Sequence, residues 1–172
     1  AYVAVPQIRS KARMLLAPPV NDSPIVAQIL LDHAKEQSRD PRKEALVIIA
    51  HGPEDAEDNP GDLAEVKKLA AWVRKKGRFA SVEALNIQDD APRPVRAANV
   101  QTFRGMVTAA QSRGLEVIVV PYVINAKGLQ PKLQHDLEGL TFRFQEKGIS
   151  DHPNFVKWIN EAVSETVNKA GA

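Results

Sequence analysis

One of the four histidines stands apart by its setting. His51 directly follows the apolar run Ala45-Leu-Val-Ile-Ile-Ala50. It opens the stretch His51-Gly-Pro-Glu-Asp-Ala-Glu-Asp-Asn59, where Glu54, Asp55, Glu57 and Asp58 crowd together. An imidazole among carboxylates can hold a borderline divalent metal or carry a proton. The bland alternative is a histidine that caps a strand beside a solvated acidic loop. A second acidic turn, Gln88-Asp89-Asp90-Ala91-Pro92, and a turn without acidic residues, Asn125-Ala126-Lys127-Gly128-Leu129, follow other apolar runs. Lys127 there can hold an anion. The remaining histidines read as structural: His33 has the pattern of a helix surface, His135 lies beside Asp136 on a helix, and His152 belongs to a helix start. The chain has no cysteine, which excludes disulfides, thiolate metal sites and a thiol nucleophile. No glycine-rich phosphate loop, Walker sequence or Gly-x-Ser-x-Gly elbow occurs, so nucleotide binding and serine hydrolysis have no support.

The elements that must position these residues alternate. Ala45–Ala50 and Leu115–Val123 are continuous apolar, β-branched runs of the kind buried on both faces of a parallel sheet. Ser81–Ile87 is a weaker strand and Thr141–Phe144 a short fourth. Between them the apolar period is helical over Asp62–Lys76, closed by Gly77, and over Pro94–Arg113. It is helical again over Pro153–Val167, with a shorter helix within Gly128–Gly139. The order predicts an α/β fold: a four-stranded parallel sheet flanked by helices, a Rossmann-like three-layer sandwich. Ligands of such sheets bind beyond the carboxyl ends of the strands, where His51 and the three turns fall. The 172 residues suffice for one core, and 23 basic against 21 acidic residues give no footprint for nucleic acid. No apolar run is long enough to span a bilayer and no signal-peptide pattern opens the chain, so no membrane partner and a cytoplasmic location are expected.

Residues 1–43 lie outside this alternation. They hold a strand-like run, Arg13-Met-Leu-Leu16, and a helix pattern from Pro24 to Gln37. Asp22-Ser-Pro24 and Asp151-His-Pro153 both precede an amphipathic helix, 129 residues apart, and a glutamate follows each at the same distance, Glu36 and Glu165. This is the signature of an internal repeat. It is expected to divide the chain into the strand-plus-helix tail of a preceding lobe, or an N-terminal extension, over 1–43, and one α/β lobe over 44–172. The start at Ala1 without Met is then expected to be a boundary within a longer protein.

Several segments in this order carry a resemblance. Leu46-Val-Ile-Ile-Ala-His51-Gly52 with its acidic loop, Asp89-Asp-Ala-Pro92 with Pro94-Val-Arg-Ala-Ala98, Val117-Ile-Val-Val-Pro121, and Asp151-His-Pro-Asn154 with Trp158-Ile159 together resemble the class II tetrapyrrole chelatases. The match is to the sirohydrochlorin chelatases of cobalamin and siroheme biosynthesis, in their long two-lobe branch, and it runs from Pro18 to the C-terminus. The resemblance implies insertion of Co2+ or Fe2+ into sirohydrochlorin without a nucleotide, in a cleft between two lobes or between two copies of the chain. It implies that His51 presents the metal, with Glu57 as a further ligand. A carboxylate among Glu54, Glu57, Asp89 and Asp90, with Glu54 and Asp89 foremost, would take up the pyrrole protons. Gly52, Lys127 and Gly128 would lie along the tetrapyrrole. Two departures stand out. The family's second histidine falls at Leu129, which cannot bind metal, and its glutamate after the second strand falls near Gln88. A non-catalytic lobe that binds a tetrapyrrole or metal and completes another lobe's cleft is the alternative expectation.

Overall fold

The computed structural model describes residues 11–20 and 23–171. Among these residues five α-helices and four strands alternate after the first helix: α1 (Pro24–Gln37), β1 (Glu44–Ala50), α2 (Asn59–Gly77), β2 (Ser81–Asn86), α3 (Arg93–Ser112), β3 (Glu116–Tyr122), α4 (Leu129–Asp136), β4 (Arg143–Phe144) and α5 (Pro153–Gly171). The sheet is wholly parallel in the order β2-β1-β3-β4, as the alternation requires.

β1 and β3 run through the middle because their residues are apolar on both sides. Leu46, Ile48, Ile118 and Val120 meet α1 and α2 on the first face, and Val66, Leu69 and Val73 fill that layer. Val47, Ile49, Val117 and Val119 meet α3 and α4 on the second face, over Phe103, Val107, Leu133 and Leu137. The period of two along each strand thus feeds two separate cores. Pro121 sits in β3 without breaking a ladder. The Gln145 N–H donates to the Val119 carbonyl (3.0 Å), so alternate residues of β3 face β4. Pro121 turns its nitrogen the same way, past the last residue of β4, so no rung of the β3–β4 ladder is lost.

Four details differ from what the sequence suggests. Arg13–Leu16 forms no strand, and Met14 and Leu16 stand 67% and 96% exposed; the sheet lends this run no partner strand. The helix before β1, ascribed to the tail of a preceding lobe, fills the first face of this sheet; Asp22, half of the repeat argument, lies outside the described residues. His33 is not on a helix surface but fully buried, with neither ring nitrogen hydrogen-bonded and its ring edge-on to His152 at 5.5 Å. Gly77 does not stop α2: Arg78 takes the left-handed turn (φ 59°). Gly77 is small because a Cβ there would stand 2.7 Å from the Phe79 ring and 2.9 Å from Leu31.

The opposite end of the sheet from His51 is tied by Glu44, the first residue of β1. Its carboxylate is 1% exposed and accepts from the Ser38 hydroxyl, the N–H groups of Arg39 (2.7 Å) and Asp40 (3.2 Å), and the Arg143 guanidinium (2.8 Å). Arg143 also donates to the Gln37 carbonyl and to Glu116, so one side chain binds α1, β1, β3 and β4 together. Burial pushes the Glu44 carboxyl up, but the Arg143, Ser38 and backbone donors outweigh it and hold it down at about 2.

Candidate functional site

β1 ends at Ala50 and the chain turns immediately. Gly52 takes φ +76°, and a Cβ there would stand 2.7 Å from the Asn86 Cβ. Only glycine lets the strand pass this close to the end of β2. The turn is then stitched to β2's continuation: Ile87 N–H donates to the Ala50 carbonyl (3.0 Å) and Gln88 N–H to the His51 carbonyl (2.7 Å). Gln88 is buried and left-handed (φ 53°); its side chain donates to the Pro53 carbonyl and accepts from Asn99. Buried Asn86 donates to Asn59 and Asp62, which fixes the start of α2. Both ends of the acidic loop are therefore anchored, while Glu54 and Glu57 stay exposed and line no part of the cavity beside it.

The consequence is a pair. His51 Nδ1 lies 2.9 Å from the Gly52 carbonyl, an acceptor, so Nδ1 carries the hydrogen there. That leaves the Nε2 lone pair facing an Asp90 carboxylate oxygen at 3.3 Å. Two electron-pair donors facing each other call for a cation, a proton or a metal ion. Two ligand atoms each ~2.1 Å from one ion, at ~90–110°, stand ~3.0–3.4 Å apart, so this spacing suits shared ligation. Both side chains are open to solvent, at 51% and 72% exposure. Among the described residues, no group of three or more His, Asp or Glu stands close enough to hold a metal by itself.

Asp89, beside Asp90 in sequence, faces the other way. Its carboxylate is 14% exposed and meets Arg96 Nε at 3.1 Å and Lys132 Nζ at 2.7 Å. Arg96 also binds both oxygens of Asp136, which is 3% exposed. Burial alone would loosen the Arg96 proton, but Asp136 and Asp89 outweigh it and hold it more firmly than usual. Engaged by two cations, Asp89 is built as an anchor for α3 and α4, while Asp90 has the free edge.

A cavity of about 630 Å³ opens beside His51. Val20, Tyr122, Ile124, Leu129 and Ile149 make an apolar lining, and Lys127, Gly128, Lys132, Asn125 and Asp89 add polar groups. Tyr122 donates to the Val20 carbonyl (3.1 Å), tying the segment before α1 to the wall. Asn125 Oδ1 accepts from the Lys127 N–H (2.9 Å), and Gly128 (φ +78°) starts α4. His51, Lys127 and Gly128 are thus brought to one cavity; Glu54 and Glu57 are not, and Gly52 acts through backbone shape. Sequence reasoning missed Lys132. Its signal was the i, i+3 spacing from Leu129, which puts both on one side of the first turn of α4.

No family model matches the chain, and no curated protein matches it. Among solved structures it is similar to SirB from Bacillus subtilis with Fe3+, with a TM-score of 0.70 at 16% identity. The match covers 91% of this chain and 60% of that one, so this chain spans less than two thirds of that neighbour. The likeness establishes the shared three-layer fold. No helix among the described residues is long and apolar enough to cross a membrane.

Proposed function

We propose that this chain is a chelatase-like lobe that delivers a divalent metal, Fe2+ or Co2+, to a carboxylate-bearing tetrapyrrole of the sirohydrochlorin kind. The observation that carries this reading is the His51–Asp90 pair, whose Nε2 and carboxylate oxygen stand 3.3 Å apart at the lip of an apolar cavity. Two protein donors hold an ion weakly and leave most of its coordination sphere open. Ring nitrogens of the macrocycle complete that sphere, and two pyrrole protons leave as the metal enters. Asp90, once free of the ion, accepts a proton and passes it to solvent. The apolar lining suits the macrocycle's face, and Lys127 and Lys132 suit its carboxylates. The fold shared with a protein whose solved structure is described as with Fe3+ agrees with the metal chemistry.

The test is metal insertion followed by the absorbance of sirohydrochlorin with Co2+. The chain is expected to accelerate insertion over the spontaneous rate, and His51→Ala to remove about 100-fold of it, the scale of a lost ligand or proton carrier. Equal rates for wild type and His51→Ala would refute the assignment. Leu129, half-buried on the cavity wall where a second imidazole is expected, favours a second reading: a lobe that binds the tetrapyrrole without inserting metal. A spectral shift on binding with no acceleration marks that outcome.

A further inference from the structure

We propose that Asp89 is a built-in competitor of the ligand: it occupies Lys132 while the cavity is empty, and a carboxylate of the bound macrocycle takes its place. This rests on the reading of the cavity as the seat of a carboxylate-bearing tetrapyrrole, and it is independent of metal insertion. Charges of alternating sign run inward from the cavity in the order Lys132, Asp89, Arg96 and Asp136. Their side chains are 41%, 14%, 25% and 3% exposed, so the outermost cation is also the most accessible member of the row. Lys132 and Asp89 both line the cavity, and Arg96 and Asp136 lie behind them.

The two cations on Asp89 are held very differently. Arg96 is fixed at both ends: Nε meets Asp89 Oδ1 at 3.1 Å, and one terminal nitrogen meets the two Asp136 oxygens at 2.9 and 2.7 Å. Lys132 has a single ion pair among the described residues, from Nζ to the same Asp89 Oδ1 at 2.7 Å. When Lys132 swings away, Asp89 therefore keeps Arg96, and no buried charge is stranded. Lysine suits the movable role, because its ammonium is a point charge on a flexible stem, while the planar fork of Arg96 suits the fixed one. A half-exposed lysine pair is worth little, so exchanging it for a ligand carboxylate costs little. The exchange also sets specificity. A macrocycle with an anionic arm in reach of Lys132 gains an ion pair, and a neutral one finds the lysine already satisfied.

The experiment titrates uroporphyrin, a tetrapyrrole bearing carboxylates, into the metal-free full chain and follows its fluorescence. Wild type, Asp89→Asn, Lys132→Gln and the double variant are compared. Lys132→Gln is expected to weaken binding about tenfold, the scale of a lost charge-assisted hydrogen bond. Asp89→Asn is expected to tighten binding about fivefold, the scale of one released half-exposed ion pair. In the Lys132→Gln background the Asp89→Asn change is expected to move affinity by less than about twofold, because no lysine is left to release. Where Asp89→Asn does not fold, as read by circular dichroism, Asp89→Ser repeats the comparison without the amide. Unchanged or weaker binding on loss of the Asp89 charge would overturn the proposal. So would a gain of equal size with and without Lys132, which marks a general effect of charge and not competition for one lysine. A wild type that binds no uroporphyrin overturns the tetrapyrrole reading of the cavity and the competition with it. Binding by the wild type with a flat Asp89 cycle overturns the competition alone.

Discussion

Glu44→Gln separates a buried charge from the geometry around it. An ordinary glutamate titrates near 4.5, and Glu44 is held at about 2 in the fold. Because its folded value is depressed, its stabilisation is present above 4.5 and is lost as pH falls through 4.5 toward 2. The gap between the two values corresponds to about 3 kcal/mol at neutral pH. Glu44 is 1% exposed, so solvent screening removes little of this. Glutamine keeps one oxygen for the Arg39, Asp40 and Arg143 donors, but it carries no charge for Arg143 and turns its amide toward the Ser38 hydroxyl. The variant is therefore expected to be about 2–3 kcal/mol less stable at pH 6. At pH 3 the wild type retains less than half of the effect, and at pH 2 only a small fraction of it. The assay is urea unfolding of both proteins at pH 6, 4, 3 and 2. Every other titrating group, His33 included, is common to both and cancels in the difference. A gap that stays constant within about 0.5 kcal/mol from pH 6 to pH 3 would refute the reasoning, since the loss would then come from shape and not from charge.

Two further predictions concern stability near the site and in the core. Gly52→Ala and Gly128→Ala impose the same left-handed strain, at φ +76° and +78°, but only the first meets a neighbour, Asn86 at 2.7 Å, while nothing lies within 4 Å of the second. Urea unfolding should show about 1 kcal/mol lost at Gly128 and about 2–4 kcal/mol at Gly52; equal losses would show that backbone strain alone matters. At His33, burial pushes the imidazole below its usual 6.5, with Glu36 opposing and His152 and Lys147 assisting. The unfolded chain takes up a proton below 6.5 that the fold refuses, so this residue makes stability fall as pH drops below 6.5 and has no effect above it. His33→Leu should flatten that slope in unfolding measurements between pH 7 and 5, and an unchanged slope would sink the assignment.

The sheet was readable because β1 and β3 are short apolar runs without alternation, and the helices because their stripes recur at 3.6 residues. β4 shrank to Arg143–Phe144 because its role is carried by one guanidinium more than by a ladder. His51 was legible from its place after β1. Its partner was not: Asp89 and Asp90 are adjacent, and which one turns to His51 depends on the left-handed Gln88 and on Arg96, forty residues from its other partner Asp136. Local pattern carries no trace of such choices. His33 was misread for a similar reason. A polar residue on a helix normally marks the wet side, but here a second histidine, His152 just before α5, lies edge-on against it.

The two-residue β4 and the proline near the end of β3 also bear on how this molecule meets others. An edge strand invites foreign strands through its unpaired N–H and C=O groups. β4 is too short to serve as a template, and Pro121 withholds the donor that would let pairing extend at that end. On the far edge, β2 carries the exposed Glu83. Strand-to-strand recruitment, the usual route from a parallel sheet to a fibre, is thus closed at both margins. Association is left to helix faces, which admit a partner only where side chains interlock.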